Sequence, residues 1–137
     1  MISPILLDTC AALWLSNEGK LSDAALEALW EADPEPGAIL VSPVTAWEIG
    51  TLVSRGRLGL LKDPLVWFQA VLNSGIGLAR LPPEVLVASS FLPGPALRDP
   101  ADRILAATAR AYGYRLMTRD QPLLAYAAGG HIQAIAC

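Results

Sequence analysis

The stretch Ile5-Leu6-Leu7-Asp8-Thr9 decides how the chain is interpreted, because an apolar run stops there at an acid. Short runs that are apolar throughout are typical of strands buried on both faces of a parallel sheet. Asp8-Thr9 can cap a helix starting near Cys10. The stretch therefore predicts a strand, an acid at its carboxyl end and a helix behind that acid.

The same alternation of strand and helix recurs along the rest of the chain. A helix is predicted from Ser22 or Asp23 to about Ala32, and further strands are predicted over 38–41, 76–81, 115–118 and 132–136. Helices are predicted over 42–54, 63–72, 82–91, 99–111 and 120–128, most of them opening on a capping residue or a proline. Apolar strands alternating with helices predict an α/β fold, a three-layer α/β/α sandwich around a parallel sheet of four to five strands. The site of such a sheet lies at the carboxyl ends of its strands.

Composition narrows the class of protein. A length of 137 residues predicts one domain over 1–137. The composition, with 53% hydrophobic and 17% charged residues, excludes a disordered chain. The high apolar fraction also indicates apolar surface that another chain covers. The two cysteines are far apart and form no disulfide framework, and the single His131 excludes a multi-histidine zinc site. Without a leader or a long apolar run, the chain is predicted to be cytoplasmic, with no membrane segment.

Four acids are predicted to approach the carboxyl edge of the sheet. Asp8 and Asp120 directly follow strands, whereas Glu48 and Asp102 lie near the starts of two helices. Asp8 and Asp120 also fit helix caps, and Asp99 with Asp102 fits a cap and a third helical position; for Asp99 the capping role is preferred.

Glu48 is the most informative of these acids. Its helical neighbours Val44 and Leu52 are both apolar, so its carboxylate is predicted on or beside the buried stripe of its helix. An unpaired carboxylate is costly there, and no Lys or Arg lies between Lys20 and Arg55. This favours a functional role for Glu48.

Four carboxylates at one edge repel one another unless a cation lies between them. Ligation by carboxylates without His or Cys favours a hard cation, Mg²⁺ or Mn²⁺. Such an ion can activate water and stabilise displacement at phosphorus. The pattern therefore predicts metal-dependent phosphodiester hydrolysis.

Several blocks of sequence resemble the PIN-domain ribonucleases, and within them the VapC toxins of toxin–antitoxin pairs. The blocks, in the order the family has them, are Leu6-Leu7-Asp8-Thr9, Trp47-Glu48-Ile49, Asp99-Pro100-Ala101-Asp102-Arg103, Ile104-Leu105-Ala106-Ala107 and Leu116-Met117-Thr118-Arg119-Asp120. Ala101 stands where relatives have Phe, a departure that touches helix packing more than chemistry.

The resemblance implies a Mg²⁺- or Mn²⁺-dependent endoribonuclease toxin with catalytic and metal-binding residues Asp8, Glu48, Asp102 and Asp120. Thr118 matches the hydroxyl residue beside the last acid, and Asp99 and Thr9 are additional candidates. The family also implies an RNA substrate, a homodimer and a VapB-type antitoxin whose tail blocks the site.

Arg103 and Arg119 are candidates for contacts to RNA phosphates, because each lies next to a candidate acid in the sequence. The net charge of −3 alone gives no reason to expect nucleic acid. Assigning four of the 13 acids to a metal pocket, however, leaves nine acids against ten basic residues.

Three alternatives remain open from the residues. The first is a non-catalytic PIN-like scaffold that holds RNA or protein, which retention of four acids disfavours. Haloacid-dehalogenase-like phosphatases require a second Asp where Cys10 stands, and response-regulator receivers require a late Lys, although no Lys follows Lys62.

Overall fold

The computed structural model describes residues 2–17 and 19–137 and contains strands that alternate with helices. The strands are β1 (Ile5–Leu7), β2 (Ile39–Val41), β3 (Gly77–Leu78), β4 (Arg115–Thr118) and β5 (Gln133–Ala136). The helices are α1 (Thr9–Ser16), α2 (Asp23–Ala32), α3 (Pro43–Ser54), α4 (Pro64–Asn73), α5 (Pro83–Ala88), α6 (Pro100–Tyr112) and α7 (Gln121–Ala128).

The strands form one parallel sheet in the order β3-β2-β1-β4-β5. The strand that opens the chain therefore lies at the centre of the sheet. Its last residue, Leu7, is in register with Val41 of β2 and Met117 of β4. This register brings the residues that follow β1 and β4 side by side.

Two hydrophobic cores cover the two faces of the sheet. Side chains along β1 point alternately to the two faces of the sheet. Ile5 and Leu7 pack into one core with residues of α1, α2 and α4. Leu6 packs into the other core with residues of α6 and α7. β1, at the centre of the sheet, is thus buried on both sides, which explains why it is apolar throughout. The arrangement confirms the predicted three-layer α/β/α sandwich, with five strands.

Side chains cap the helices that start at the carboxyl edge of the sheet. The carboxylates of Asp8, Asp99 and Asp120 accept hydrogen bonds from backbone N–H groups at the starts of α1, α6 and α7, and the Ser42 hydroxyl does so at the start of α3. Each cap satisfies a donor that the helix itself leaves unpaired. Gly113 ends α6 with φ of 71°, a left-handed conformation that favours glycine.

Two predicted elements are shorter in the structure. The strand predicted over 76–81 is only Gly77–Leu78, because its partner β2 ends at Val41, where α3 begins. The helix predicted over 82–91 is only Pro83–Ala88. Beyond it the N–H groups of Ser90 and Phe91 bond carbonyls three residues back, so the chain continues as tight turns instead of α-helix.

No helix in residues 2–17 and 19–137 is both long enough and apolar enough to cross a bilayer.

Candidate active site

Asp8 and Thr118 form the centre of the site, because Asp8 directly follows β1 and Thr118 is the last residue of the neighbouring β4. The Asp8 N–H donates to the Met117 carbonyl at 3.0 Å, which continues the pairing of the strands past Leu7. Asp8 is only 5% exposed, and its Oδ1 accepts from the Ala11 N–H at 2.7 Å. Burial raises the pKa of Asp8, while hydrogen bonds from the Thr118 hydroxyl and Ala11 lower it and Asp120 raises it.

Thr118 links the first acid to the last. Its side chain is fully buried, and its Oγ1 also accepts from the Asp120 N–H at 3.0 Å. Asp120 in turn caps α7, its Oδ2 accepting from Leu123 N–H at 3.1 Å. The structure therefore brings Asp8, Thr118 and Asp120 together, as the sequence predicts.

Glu48 reaches the same edge from α3, the helix that follows β2. Its Oε1 accepts a hydrogen bond from the hydroxyl of Thr9, the residue after Asp8. The Thr9 hydroxyl also lies 3.1 Å from the Thr45 hydroxyl. Burial raises the pKa of Glu48, the Thr9 bond lowers it, and Asp99 and Asp8 raise it.

Asp102 approaches from the first turn of α6. Burial raises its pKa to about 8, with further upward contributions from Asp99, Asp120, Glu48 and Asp8. The charged groups that contribute most to this raised pKa are thus other acids. Asp102 therefore lies close enough to them for their negative charges to act on it.

Asp99 differs from the other four acids in its surroundings. It is exposed, and its Oδ1 accepts from the N–H groups of Ala101 at 2.8 Å and Asp102 at 3.2 Å. The capping role preferred for it from the sequence is confirmed. Asp99 also adds negative charge beside Asp102.

The donor set fits a hard divalent cation, because it consists of carboxylate and hydroxyl oxygens. In residues 2–17 and 19–137, no three His, Cys, Asp or Glu side chains already stand as a ligand group for one ion. Burial and the neighbouring acids raise the pKa of Asp102, so a bound cation would offset the cost of ionising it there. Asp8 at the start of α1 and Asp120 at the start of α7 would be among the residues that hold such a cation.

The two predicted phosphate-binding arginines are both engaged with backbone carbonyls. Arg103 donates from Nη1 to the Leu97 carbonyl at 3.3 Å. Arg119 donates from Nη2 to the carbonyls of Lys20 at 2.9 Å and Cys137 at 2.6 Å, and its guanidinium lies 3.9 Å from the centre of the Trp14 ring. Both side chains therefore order loops beside the site, and their contact with RNA stays a prediction.

Sequence reasoning missed Thr45. It lies three residues before Glu48 on the same helix, is fully buried, and contacts Thr9 through its hydroxyl. One feature of the sequence could have identified Thr45. It is a hydroxyl residue at helical spacing from Glu48, on the side of α3 where Val44 and Ile49 are apolar. Only the packing of α1 against α3 shows what its hydroxyl contacts.

A parallel five-stranded sheet with acids at its carboxyl edge defines the class, and the comparisons agree. The model of the PIN domain family matches residues 5–129, so the chain belongs to the PIN-domain family. The chain is 33% identical over 123 residues to Ribonuclease VapC22 of Mycobacterium tuberculosis (strain ATCC 25618 / H37Rv), covering 89% of this chain and 91% of the relative. The resemblance to VapC toxins predicted from the sequence is confirmed.

Solved structures show the same fold at lower sequence identity. VapBC2 from Rickettsia felis bound to a DNA fragment from its promoter is similar with a TM-score of 0.65 and 16% identity, covering 96% of this chain and 97% of that chain. DNA-bound VapBC from Salmonella typhimurium has a TM-score of 0.63 and 14% identity, covering 98% of each chain. These similarities confirm the fold across nearly the whole chain.

Proposed function

We propose that this protein is the ribonuclease toxin of a VapBC-type pair and hydrolyses RNA phosphodiester bonds with the help of Mg²⁺ or Mn²⁺. The observation that carries the proposal is that Asp120, Glu48 and Asp8 all contribute to the raised pKa of Asp102, as expected for acids near one another at one sheet edge. The relative named Ribonuclease VapC22 supports the nuclease activity. The oxygen donor set supports the choice of metal.

Each side chain has a role that its position supports. Asp8, Glu48, Asp102 and Asp120 would hold the cation, which when bound supplies an activated water and stabilises negative charge at phosphorus. Thr118 holds the acids from β1 and β4 in place through Asp8 and the Asp120 backbone.

Asp8→Asn tests the proposal most directly. Asparagine retains an oxygen that can cap α1 but lacks the negative charge, so the fold should persist while metal binding is lost. We expect cleavage of a labelled RNA in Mg²⁺ to fall by more than about 100-fold, because even residues that only support metal ligands are worth about 10–100-fold. EDTA should abolish cleavage by the wild-type chain.

Glu31→Gln serves as the matched control, because Glu31 is an exposed acid on α2. This variant should cleave RNA like the wild type. Undiminished cleavage by Asp8→Asn, or by the wild type in EDTA, would overturn the mechanism. Calorimetry that detects neither Mg²⁺ nor Mn²⁺ binding would instead favour the scaffold that holds RNA or protein without cutting it.

The antitoxin partner is supported by an apolar groove away from the acids. The groove, of about 680 Å³, lies between α1, α2 and α4 and is lined by Leu15, Leu26, Trp30, Trp67 and Val71, among others. Trp30 is 83% exposed, so a large apolar side chain lies uncovered. The similar solved structures are VapBC assemblies, and we propose that an apolar segment of a VapB-type antitoxin occupies this groove.

The test uses the product of the adjacent upstream reading frame if it encodes a short DNA-binding protein. Trp30→Ala should weaken its binding about 30-fold, the equivalent of about 2 kcal/mol for a central aromatic anchor. Phe91→Ala is the control, because Phe91 is also exposed but does not line the groove. Equal affinities for the two variants would place the antitoxin elsewhere.

The homodimer remains a prediction of the family resemblance, and the cytoplasmic location remains a prediction from the sequence. Light scattering of the purified chain measures its mass in solution and so tests the dimer. Growth arrest on expression, relieved by the neighbouring antitoxin, tests the toxin role in cells.

A further inference from the structure

The hydroxyls of Thr45 and Thr9 and the carboxylate of Glu48 form a hydrogen-bonded series that runs from the interior to the acid cluster. Thr45 is fully buried on α3, and Thr9 is 5% exposed at the first position of α1. The Thr45 and Thr9 hydroxyl oxygens are 3.1 Å apart, and Thr9 bonds Oε1 of Glu48. The series joins two helices that carry two of the candidate metal ligands.

The direction of the series follows from the chemistry of its last member. An ionised carboxylate can only accept, so Thr9 must donate its single proton to Glu48. The proton between the two threonines must then come from Thr45. Among the hydrogen bonds of residues 2–17 and 19–137, the Thr45 hydroxyl pairs with that of Thr9 and not with a backbone carbonyl. The carbonyl four residues back belongs to Val41, the last residue of β2, and accepts from the Ala79 N–H at 2.8 Å.

Thr108 shows the ordinary use of a buried helical threonine in the same fold. It is fully buried on α6, and its hydroxyl donates to the Ile104 carbonyl four residues back at 2.7 Å. Thr108 thereby satisfies its hydroxyl within one helix. Thr45 instead directs its proton across to another helix, toward a functional acid.

We propose that Thr45 is a positioning residue that acts through Thr9 to hold the Glu48 carboxylate in the orientation that binds the metal. This inference rests on the proposed function. By donating to Thr9, Thr45 fixes the Thr9 hydroxyl rotor so that its proton points at Oε1. Oε1 is then occupied by a hydrogen bond, which leaves Oε2 free to face the cation.

Binding of Mn²⁺ to the full chain, measured by calorimetry or by the electron paramagnetic resonance of free Mn²⁺, tests this inference without relying on activity. Thr45→Val removes the hydroxyl with little change of shape and should weaken Mn²⁺ binding about tenfold, as expected for an indirect ligand partner. Thr45→Ser keeps the hydroxyl and should restore most of the affinity. Thr108→Val is the matched control and should bind Mn²⁺ like the wild type.

A double-mutant cycle distinguishes positioning through Thr9 from general loosening of the fold. If Thr45 acts only through Thr9, adding Thr45→Val to Thr9→Val should cause no further loss of affinity. Thr45→Ala replaces Thr45→Val in every comparison if the latter does not fold.

Two results overturn the inference while leaving the proposed function intact. The first is Mn²⁺ affinity of Thr45→Val equal to that of Thr108→Val, and the second is full additivity with Thr9→Val. A wild-type chain that binds neither Mn²⁺ nor Mg²⁺ overturns the proposed function, and the inference falls with it.

Discussion

Replacing Asp102 by Asn should stabilise the metal-free protein at neutral and alkaline pH. Burial, with four neighbouring acids, raises the pKa of Asp102 from 3.8 to about 8 in the folded chain. Folding therefore favours the protonated acid, and ionisation of Asp102 counts against the folded state. Asparagine resembles the protonated acid and carries no charge at any pH.

The size of the stabilisation by Asp102→Asn follows from the raised pKa of Asp102 and from the exposure of its side chain. Raising the pKa from 3.8 to about 8 corresponds to a free energy of at most about 6 kcal/mol, at about 1.4 kcal/mol for each pH unit. Asp102 is only partly buried, and solvent screening reduces this to about 1–2 kcal/mol. The helix dipole favours a carboxylate in the first turn of α6, but by about 0.5 kcal/mol, which is too little to reverse the sign.

The direction in which the pKa of Asp102 changes also sets how the stability of the folded chain depends on pH. The contribution of a protonated Asp102 to stability is fully present below about pH 4 and is lost as the pH rises through about 8. The advantage of Asp102→Asn should therefore grow between pH 5 and pH 9.

Urea unfolding in EDTA at pH 5, 7 and 9 measures this advantage, with Glu31→Gln as the control for loss of an exposed acid. Saturating Mg²⁺ should reduce or reverse the difference, because the cation stabilises the wild-type fold through binding. An Asp102→Asn chain no more stable than the wild type at pH 9 in EDTA would refute the reasoning. It would mean that neither burial nor the neighbouring acids penalise the ionised Asp102 in the folded protein.

Further predictions concern the cap and the loop beside the site. Asp99→Ala should lower the free energy of unfolding by about 1 kcal/mol in urea titrations, whereas Asp99→Asn should retain most of the cap of α6; equal losses would contradict the capping role. Tyr126→Phe should cost about 1 kcal/mol, because the Tyr126 hydroxyl donates to the Pro93 carbonyl at 2.5 Å. Hydrogen exchange should then quicken over residues 93–98, and unchanged exchange would show that another contact holds this loop. Gly94→Ala should also destabilise the loop in thermal melts, since φ is 79° and an added Cβ would clash with the His131 ring. A stability equal to wild type would show that the loop tolerates both the left-handed backbone and the added Cβ.

Much of the site could be predicted from the sequence because its signals are local. An apolar run that stops at an acid marks a strand end and a helix cap together, so Asp8 and Asp120 could be placed from a few neighbouring residues. Glu48 was found because its neighbours on the helix are apolar. The end of β3 could not be predicted, since it depends on the length of its partner β2, which is distant in the chain.

The sequence by itself determined the alternation of strands and helices, the capping residues and the types of acid available to a metal. The tertiary structure decided that β1 lies at the centre of the sheet, so that Asp8 meets Thr118 from β4 on one side and Glu48 from the helix after β2 on the other. It also decided that the Arg119 guanidinium faces backbone carbonyls and that Thr45 faces Thr9. Local sequence specifies a residue's backbone and its chemistry, whereas its partners depend on strand order, register and packing, which involve residues far apart in the chain.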